Sequence, residues 1–107
     1  TDSTGYGRII RSNTGQLLKI VEQKDCNSIE KKIKEINSGI FIFKISHLFK
    51  ELRKIKSSNA QNEYYLTDVI ELIGKKMPVQ AEIIKDPSEV MGINTINQLS
   101  SLENSAQ

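Results

Sequence analysis

The sequence has no tryptophan, one cysteine (Cys26), one histidine (His47) and two prolines in 107 residues. A single cysteine excludes an intrachain disulfide framework and any metal centre built from several thiolates, and it makes a reducing, cytoplasmic setting the expectation. His47 has no second histidine, cysteine or activated serine near it in sequence, so it is read as an exposed residue in the first turn of a helix rather than a ligand or general base. No apolar run approaches the roughly 18 residues of a membrane-spanning helix, and no membrane span is expected. Charge of one sign is also lacking. Fifteen Lys and Arg against 13 Asp and Glu leave a net charge of +2. The signs are interleaved, which argues against a nucleic-acid partner. There is no Walker loop, no GxGxxG, no serine nucleophile elbow and no His/Cys/carboxylate cluster at ligand spacing. The opening residues carry neither a start methionine nor a signal-peptide pattern, so the chain reads as an excised segment.

What is present is an alternation of strand and helix patterns in one domain-sized length. Residues 8–23 read as a hairpin, two β-rich runs joined through Asn13-Thr14-Gly15, with Gly supplying the positive φ that a short loop needs. Asn27 or Ser28 caps an expected helix with Ile29, Ile33 and Ile36 at helical spacing. Gly39 to Phe43 reads as a continuous apolar strand covered on both faces. Ser46 is expected to cap a helix running to about Lys56, with Leu48, Phe49, Leu52 and Ile55 on one stripe. A further helix is expected from Thr67 or Asp68 to Gly74, with Leu66, Val69, Ile70 and Ile73 on its inner face. Val79, Ala81 and Ile83 alternate with polar neighbours as a half-buried strand. Asn94 or Thr95 caps a last helix bearing Ile96, Leu99 and Leu102. Strands interleaved with helices give an α/β fold, a mixed sheet with flanking helices.

Several residues have two readings each. Gly5-Tyr6-Gly7 allows close approach of backbone to a ligand, or is an ordinary strand-entry turn. Glu22, at the end of an apolar strand, can accept hydrogen bonds from vicinal sugar hydroxyls, or is a solvated surface carboxylate. Asn37 offers a donor and an acceptor to a polar ligand, or forms a turn beside Gly39. Asn94 has an oxygen suited to Mg²⁺, or caps a helix. The stretch Asn59 to Asp68, a polar loop with Tyr64 and Tyr65 adjacent that leads into a helix, either closes over a substrate or uses its rings to close the core.

Taken in order, GYGRIIR, IVEQKD, EINSGIFIF, NAQNEYYLTDVIE and GINT resemble the uridylyltransferase domain of the bacterial bifunctional N-acetylglucosamine-1-phosphate uridylyltransferase/glucosamine-1-phosphate acetyltransferase family. The resemblance runs from about Thr4 to Leu102. It implies a nucleotide-diphospho-sugar transferase (Rossmann-like) fold, of which residues 1–107 form the C-terminal, sugar-binding part. It also implies a nucleotidyltransferase that joins UTP and N-acetylglucosamine 1-phosphate into UDP-N-acetylglucosamine and pyrophosphate, a precursor of peptidoglycan and lipopolysaccharide in the cell wall. By the family pattern Gly7 contacts the sugar through its backbone, Glu22 binds sugar hydroxyls and Asn37 holds sugar or phosphate-proximal groups. Tyr65 and Thr67 belong to a loop over the amino sugar. Asn94 binds Mg²⁺ and the nucleotide sugar. No residue of this chain is expected to be catalytic in itself.

Two departures qualify the resemblance. Asn62 stands where the family has Gly, tolerable because Asn also enters positive φ at modest cost. The family's Gly-rich nucleotide loop, a basic residue for the triphosphate and an Asp metal ligand would all precede Thr1. The hexapeptide-repeat acetyltransferase half, which makes the parent a homotrimer, is also missing. One Asn amide cannot hold Mg²⁺ without carboxylate or phosphate partners, so the chain alone is expected to be inactive. With part of a sheet uncovered it is also expected to self-associate. Two other readings remain: a non-catalytic folding or interaction module, and a fragment of another sugar nucleotidyltransferase, such as one using glucose 1-phosphate. Convergence of Glu22, Asn37, Tyr65, Thr67 and Asn94 on one cleft distinguishes the enzyme from the module.

Overall fold

Asn13-Thr14-Gly15 turns the chain as its composition suggests. In the computed structural model, which describes residues 3–86 and also residues 89, 100 and 103, Gly15 has φ +87°. The loop is closed by Ser12 N–H on the Gln16 carbonyl at 2.8 Å and Gly15 N–H on the Ser12 carbonyl at 2.9 Å. Strand β1 (Arg8–Arg11) pairs antiparallel with β2 (Leu17–Val21), Ile9 opposite Ile20, with an irregularity between Ile10 and Arg11. This places Ile9, Leu17 and Ile20 on one buried face. Among the described residues these two strands make up the sheet.

The helix expected after Asn27 is not formed beyond a single 3-10 turn, Glu30–Lys32. Its start is as read: Glu30 N–H donates to Asn27 Oδ1 at 2.8 Å, and Asn27 N–H donates to Glu30 Oε1 at 2.9 Å, a reciprocal cap. From Ile33 the backbone is extended because it has a better partner than itself, the open edge of β1. Ile9 N–H donates to the Glu35 carbonyl at 3.0 Å, Asn37 N–H donates to the Gly7 carbonyl at 2.8 Å, and Ile36 bridges Arg8. Arg11 ties the same segment down, with Nε on Glu35 Oε1 and Nη2 on Oε2, each at 2.7 Å.

The two apolar runs read as strands keep a strand's alternation without a ladder among the described residues. Phe41 and Phe43 turn inward and stack with ring centroids 5.6 Å apart, whereas Ile40 and Ile42 face out, Ile42 being 99% exposed. Coverage on both faces is therefore incorrect for this run. Val79 and Ala81 also pack on the core, but Ile83 is exposed.

Helix α1 (Ile45–Leu52) starts one residue before the expected Ser46 cap and stops four short of Lys56. Its buried residue is Glu51, Phe49 is 60% exposed, and His47 is half-buried rather than exposed. Helix α2 (Asp68–Gly74) matches its expected bounds, with Val69, Ile70 and Ile73 buried and Leu66 outside. It lies along β2 and against α1. Ile9, Leu17, Ile20 and Ile70 form the centre of the core, flanked by Phe41, Phe43, Val79 and Ala81. The chain from Glu51 to Lys76 is clamped at its ends, Lys76 Nζ donating to Glu51 Oε1 and Lys54 Nζ lying 3.2 Å from Oε2.

Candidate functional site

Glu22 leaves the end of β2 in an extended conformation, directly before a 3-10 turn at Gln23–Asp25. Its carboxylate lies over Gly7, the residue before β1. A Cβ at position 7 would sit 3.4 Å from Glu22 Oε2, 3.5 Å from Oε1 and 3.1 Å from Ile20 Cγ2. Thr67, buried at the N-terminus of α2, donates its hydroxyl to Glu22 Oε1 at 2.9 Å. The Thr67 side chain makes no capping bond to its helix. Gly7 is held from its other side by the Asn37 amide, and Asn37 uses its own Oδ1 to accept the Gly39 N–H at 3.1 Å. Gly5, at φ +88°, donates its N–H to Gln23 Oε1 at 3.2 Å.

The loop at 59–65 closes the third side. Asn59 organises it, accepting the N–H groups of Gln61 and Glu63 on Oδ1, both at 3.2 Å. Asn62 takes φ 52°. Gln61 Nε2 donates to the Tyr65 phenol oxygen at 2.9 Å, and Ala60 N–H donates to Asp25 Oδ1 at 2.8 Å. Burial pushes the Tyr65 phenol up, Gln61 opposes it, and the Asp25 and Glu22 carboxylates add to the rise. Burial also raises Asp68, with Glu71, Asp25 and Glu22 contributing in that order. The site is thus a set of hydrogen-bond acceptors in a negative field, suited to hydroxyl and amide donors of a neutral polar ligand.

Gly7, Glu22, Tyr65 and Thr67, separate in sequence, meet around the end of β2, whereas Asn37 reaches Gly7 through its backbone N–H and its side chain turns to Gly39. Asn94 lies outside the described residues. Three participants were missed by the residue-by-residue reading: Gln23, Asp25 and Gln61. Each sits inside a motif already singled out, but a hydrogen bond across 35 residues, such as Asp25 to Ala60, leaves no local pattern. Arg8 is 2% exposed, its guanidinium donating to the Tyr6 carbonyl and, at 3.5 Å, to that of Lys31, so it secures the turn before Gly7. A cavity of about 880 Å³ is lined mainly by Ile9, Leu17, Phe41, Phe43, Ile70 and Ile73, with Asn37 also in its wall, and it does not include Glu22, Tyr65 or Thr67.

No family model matches the chain. Individual proteins do. It is 49% identical over 102 residues to the bifunctional protein GlmU of Clostridium botulinum (strain Langeland), covering 95% of this chain. By sequence, the chain matches a segment of the GlmU proteins. The GlmU of Lactococcus lactis is 54% identical over 101 residues, 94% of this chain, and that of Caldanaerobacter subterraneus 45% over 102 residues, 95% of this chain. The chain spans 22% of the length of each of these GlmU proteins. The α/β arrangement of its described residues fits part of a nucleotidyltransferase domain of the Rossmann-like kind. No helix among the described residues is long and apolar enough to cross a membrane.

Proposed function

We propose that residues 1–107 are the sugar-binding part of a uridylyltransferase domain that makes UDP-N-acetylglucosamine. In that reaction a phosphate oxygen of N-acetylglucosamine 1-phosphate attacks the α-phosphorus of UTP, the α–β phosphoanhydride bond breaks, and pyrophosphate leaves. Little covalent work falls to the protein, and rate comes from alignment and charge neutralisation. The observation that carries the reading is the contact of Glu22 with both Gly7 and Thr67, a carboxylate held by the Thr67 hydroxyl at 2.9 Å beside a backbone position that carries no side chain. Glu22 accepts from sugar hydroxyls, Gly7 gives the ring room, Asn37 holds the Gly7 carbonyl, and Tyr65 and Thr67 border the amino sugar.

Mg²⁺ dependence, with Asn94 as a ligand, is part of the proposal for the longer protein. Among the described residues there is no group of three or more His, Cys, Asp or Glu that could hold a metal ion, so the described part does not itself fit one and no step here runs through it. The homotrimeric parent, the cytoplasmic setting and the role in peptidoglycan and lipopolysaccharide synthesis come with the same reading. Exposure of Ile40, Ile42, Ile45 and Ile83 supports self-association of this chain. The test is calorimetric titration of UDP-N-acetylglucosamine. Binding by the parent chain that is lost in Glu22→Ala and weakened in Glu22→Gln is expected; equal heats in all three overturn the site.

A further inference from the structure

We infer that Asp25 is a positioning residue for this site: by holding the Ala60 amide it fixes the 59–65 loop, and with it the Tyr65 ring, against the turn that carries Glu22. The inference rests on the sugar-site reading and deepens it. Asp25 is well placed to transmit position because it is rigidly tied to Glu22, its own N–H donating to the Glu22 carbonyl at 2.9 Å. Its Oδ1 then reaches across 35 residues to the Ala60 N–H at 2.8 Å. Among the described residues, the other backbone and side-chain hydrogen bonds seen for residues 59–65 run within the loop, to Ser57 just before it, or to Asp68 at the start of α2. The Asp25–Ala60 bond is thus what registers the loop against the hairpin, and a charged acceptor makes such a bond stronger than a neutral one.

The second carboxylate oxygen fits the same role. Oδ2 is buried without a hydrogen-bond partner, a costly arrangement that a purely structural anchor does not need. Tyr65 is close to this carboxylate, and its phenol oxygen already accepts from Gln61, which leaves the phenol proton to donate. Rotation of that proton onto Oδ2 would satisfy both groups and hold the ring on the Glu22 side of the loop. A sugar entering over Gly7 then meets Glu22, Thr67 and Tyr65 in fixed relation, so less ordering is required on binding.

The experiment compares the parent chain with Asp25→Ala and Asp25→Asn. Three signals are read: exchange of the Ala60 amide, nuclear Overhauser contact between the Tyr65 ring and the Glu22 side chain, and affinity for UDP-N-acetylglucosamine. In Asp25→Ala the amide is expected to exchange about tenfold faster, the ring contact to disappear and affinity to fall by about tenfold, the scale of one lost hydrogen bond. Asp25→Asn keeps an acceptor at Oδ1 and is expected to restore most of the protection and the ring contact. Unchanged Ala60 exchange in Asp25→Ala overturns the inference, and so does faster exchange with unaltered affinity. If the parent chain binds no nucleotide sugar while the exchange and ring signals respond as described, the sugar-site reading fails and Asp25 stands as the loop's anchor. If those two signals are silent as well, both fail.

Discussion

At position 7 a methyl group would approach Ile20 Cγ2 to 3.1 Å and the Glu22 carboxylate to 3.4 Å. Ile20 is buried in the core and has little room to retreat, so the strain falls on that contact, while the methyl group, in ordinary contact with the carboxylate, takes the space that Gly7 leaves beside it. Gly7→Ala is therefore expected to cost about 1–3 kcal/mol of stability by overpacking. It should also weaken UDP-N-acetylglucosamine binding more than the stability loss explains, a pair of effects read by denaturant titration and calorimetry. Other residues show how far single positions were legible. Asn62, standing where the resembling family has Gly, is read as able to enter positive φ, and it does so at 52°. Thr67 looks like a helix cap and occupies that place, yet its hydroxyl goes to Glu22, 45 residues earlier, which local rules cannot reveal.

Between elements, the most consequential contact is the one on Glu51. This carboxylate is 2% exposed on α1, held by Lys76 just beyond α2, with Lys54 beside it. Removing the charge leaves Lys76 and Lys54 facing a neutral amide in place of their counter-ion, so Glu51→Gln is expected to lower the thermal midpoint clearly. Lys54→Ala, at a side chain that is 50% exposed, should shift it little. A calorimetric scan of the two variants separates them. Elements whose evidence lies inside one segment were legible: the hairpin from its turn, and α2 from its apolar face. Residues 33–37 and 40–43 were not, because their conformation depends on what lies beside them. The free edge of β1 draws Ile36 out of a helical pattern, and Ile40 and Ile42 have the composition of a buried strand without a covering layer.

Across the whole molecule, acid sensitivity follows from two carboxylates with lowered pKa. The Arg11 hydrogen bond holds Glu35 below the usual 4.5, and Lys76 does the same for Glu51 against the opposing effect of burial. A group with a depressed folded pKa contributes stability above its unfolded value and loses it as pH falls through the folded one. Asp68, raised by burial and by its acidic neighbours, runs the other way and gains on protonation. With two losses against one gain, the thermal midpoint is expected to fall as pH drops below 4.5. Glu35→Gln should flatten that fall, as followed by circular dichroism. A midpoint that is level down to pH 3 in the parent chain would count against both ion pairs.

The separations within the candidate site also set an order of events in folding. The hairpin closes over a five-residue loop and can form in about 1–10 μs, as isolated hairpins do. Glu22 must wait for Thr67 and Asp25 for Ala60, partners 45 and 35 residues away, and such closures carry a larger entropic cost. Ligand-ready geometry is therefore assembled late, on a scaffold that is already standing. The same asymmetry in reverse lets the 59–65 loop open by a local fluctuation and empty the site while Ile9, Leu17, Ile20 and Ile70 remain packed.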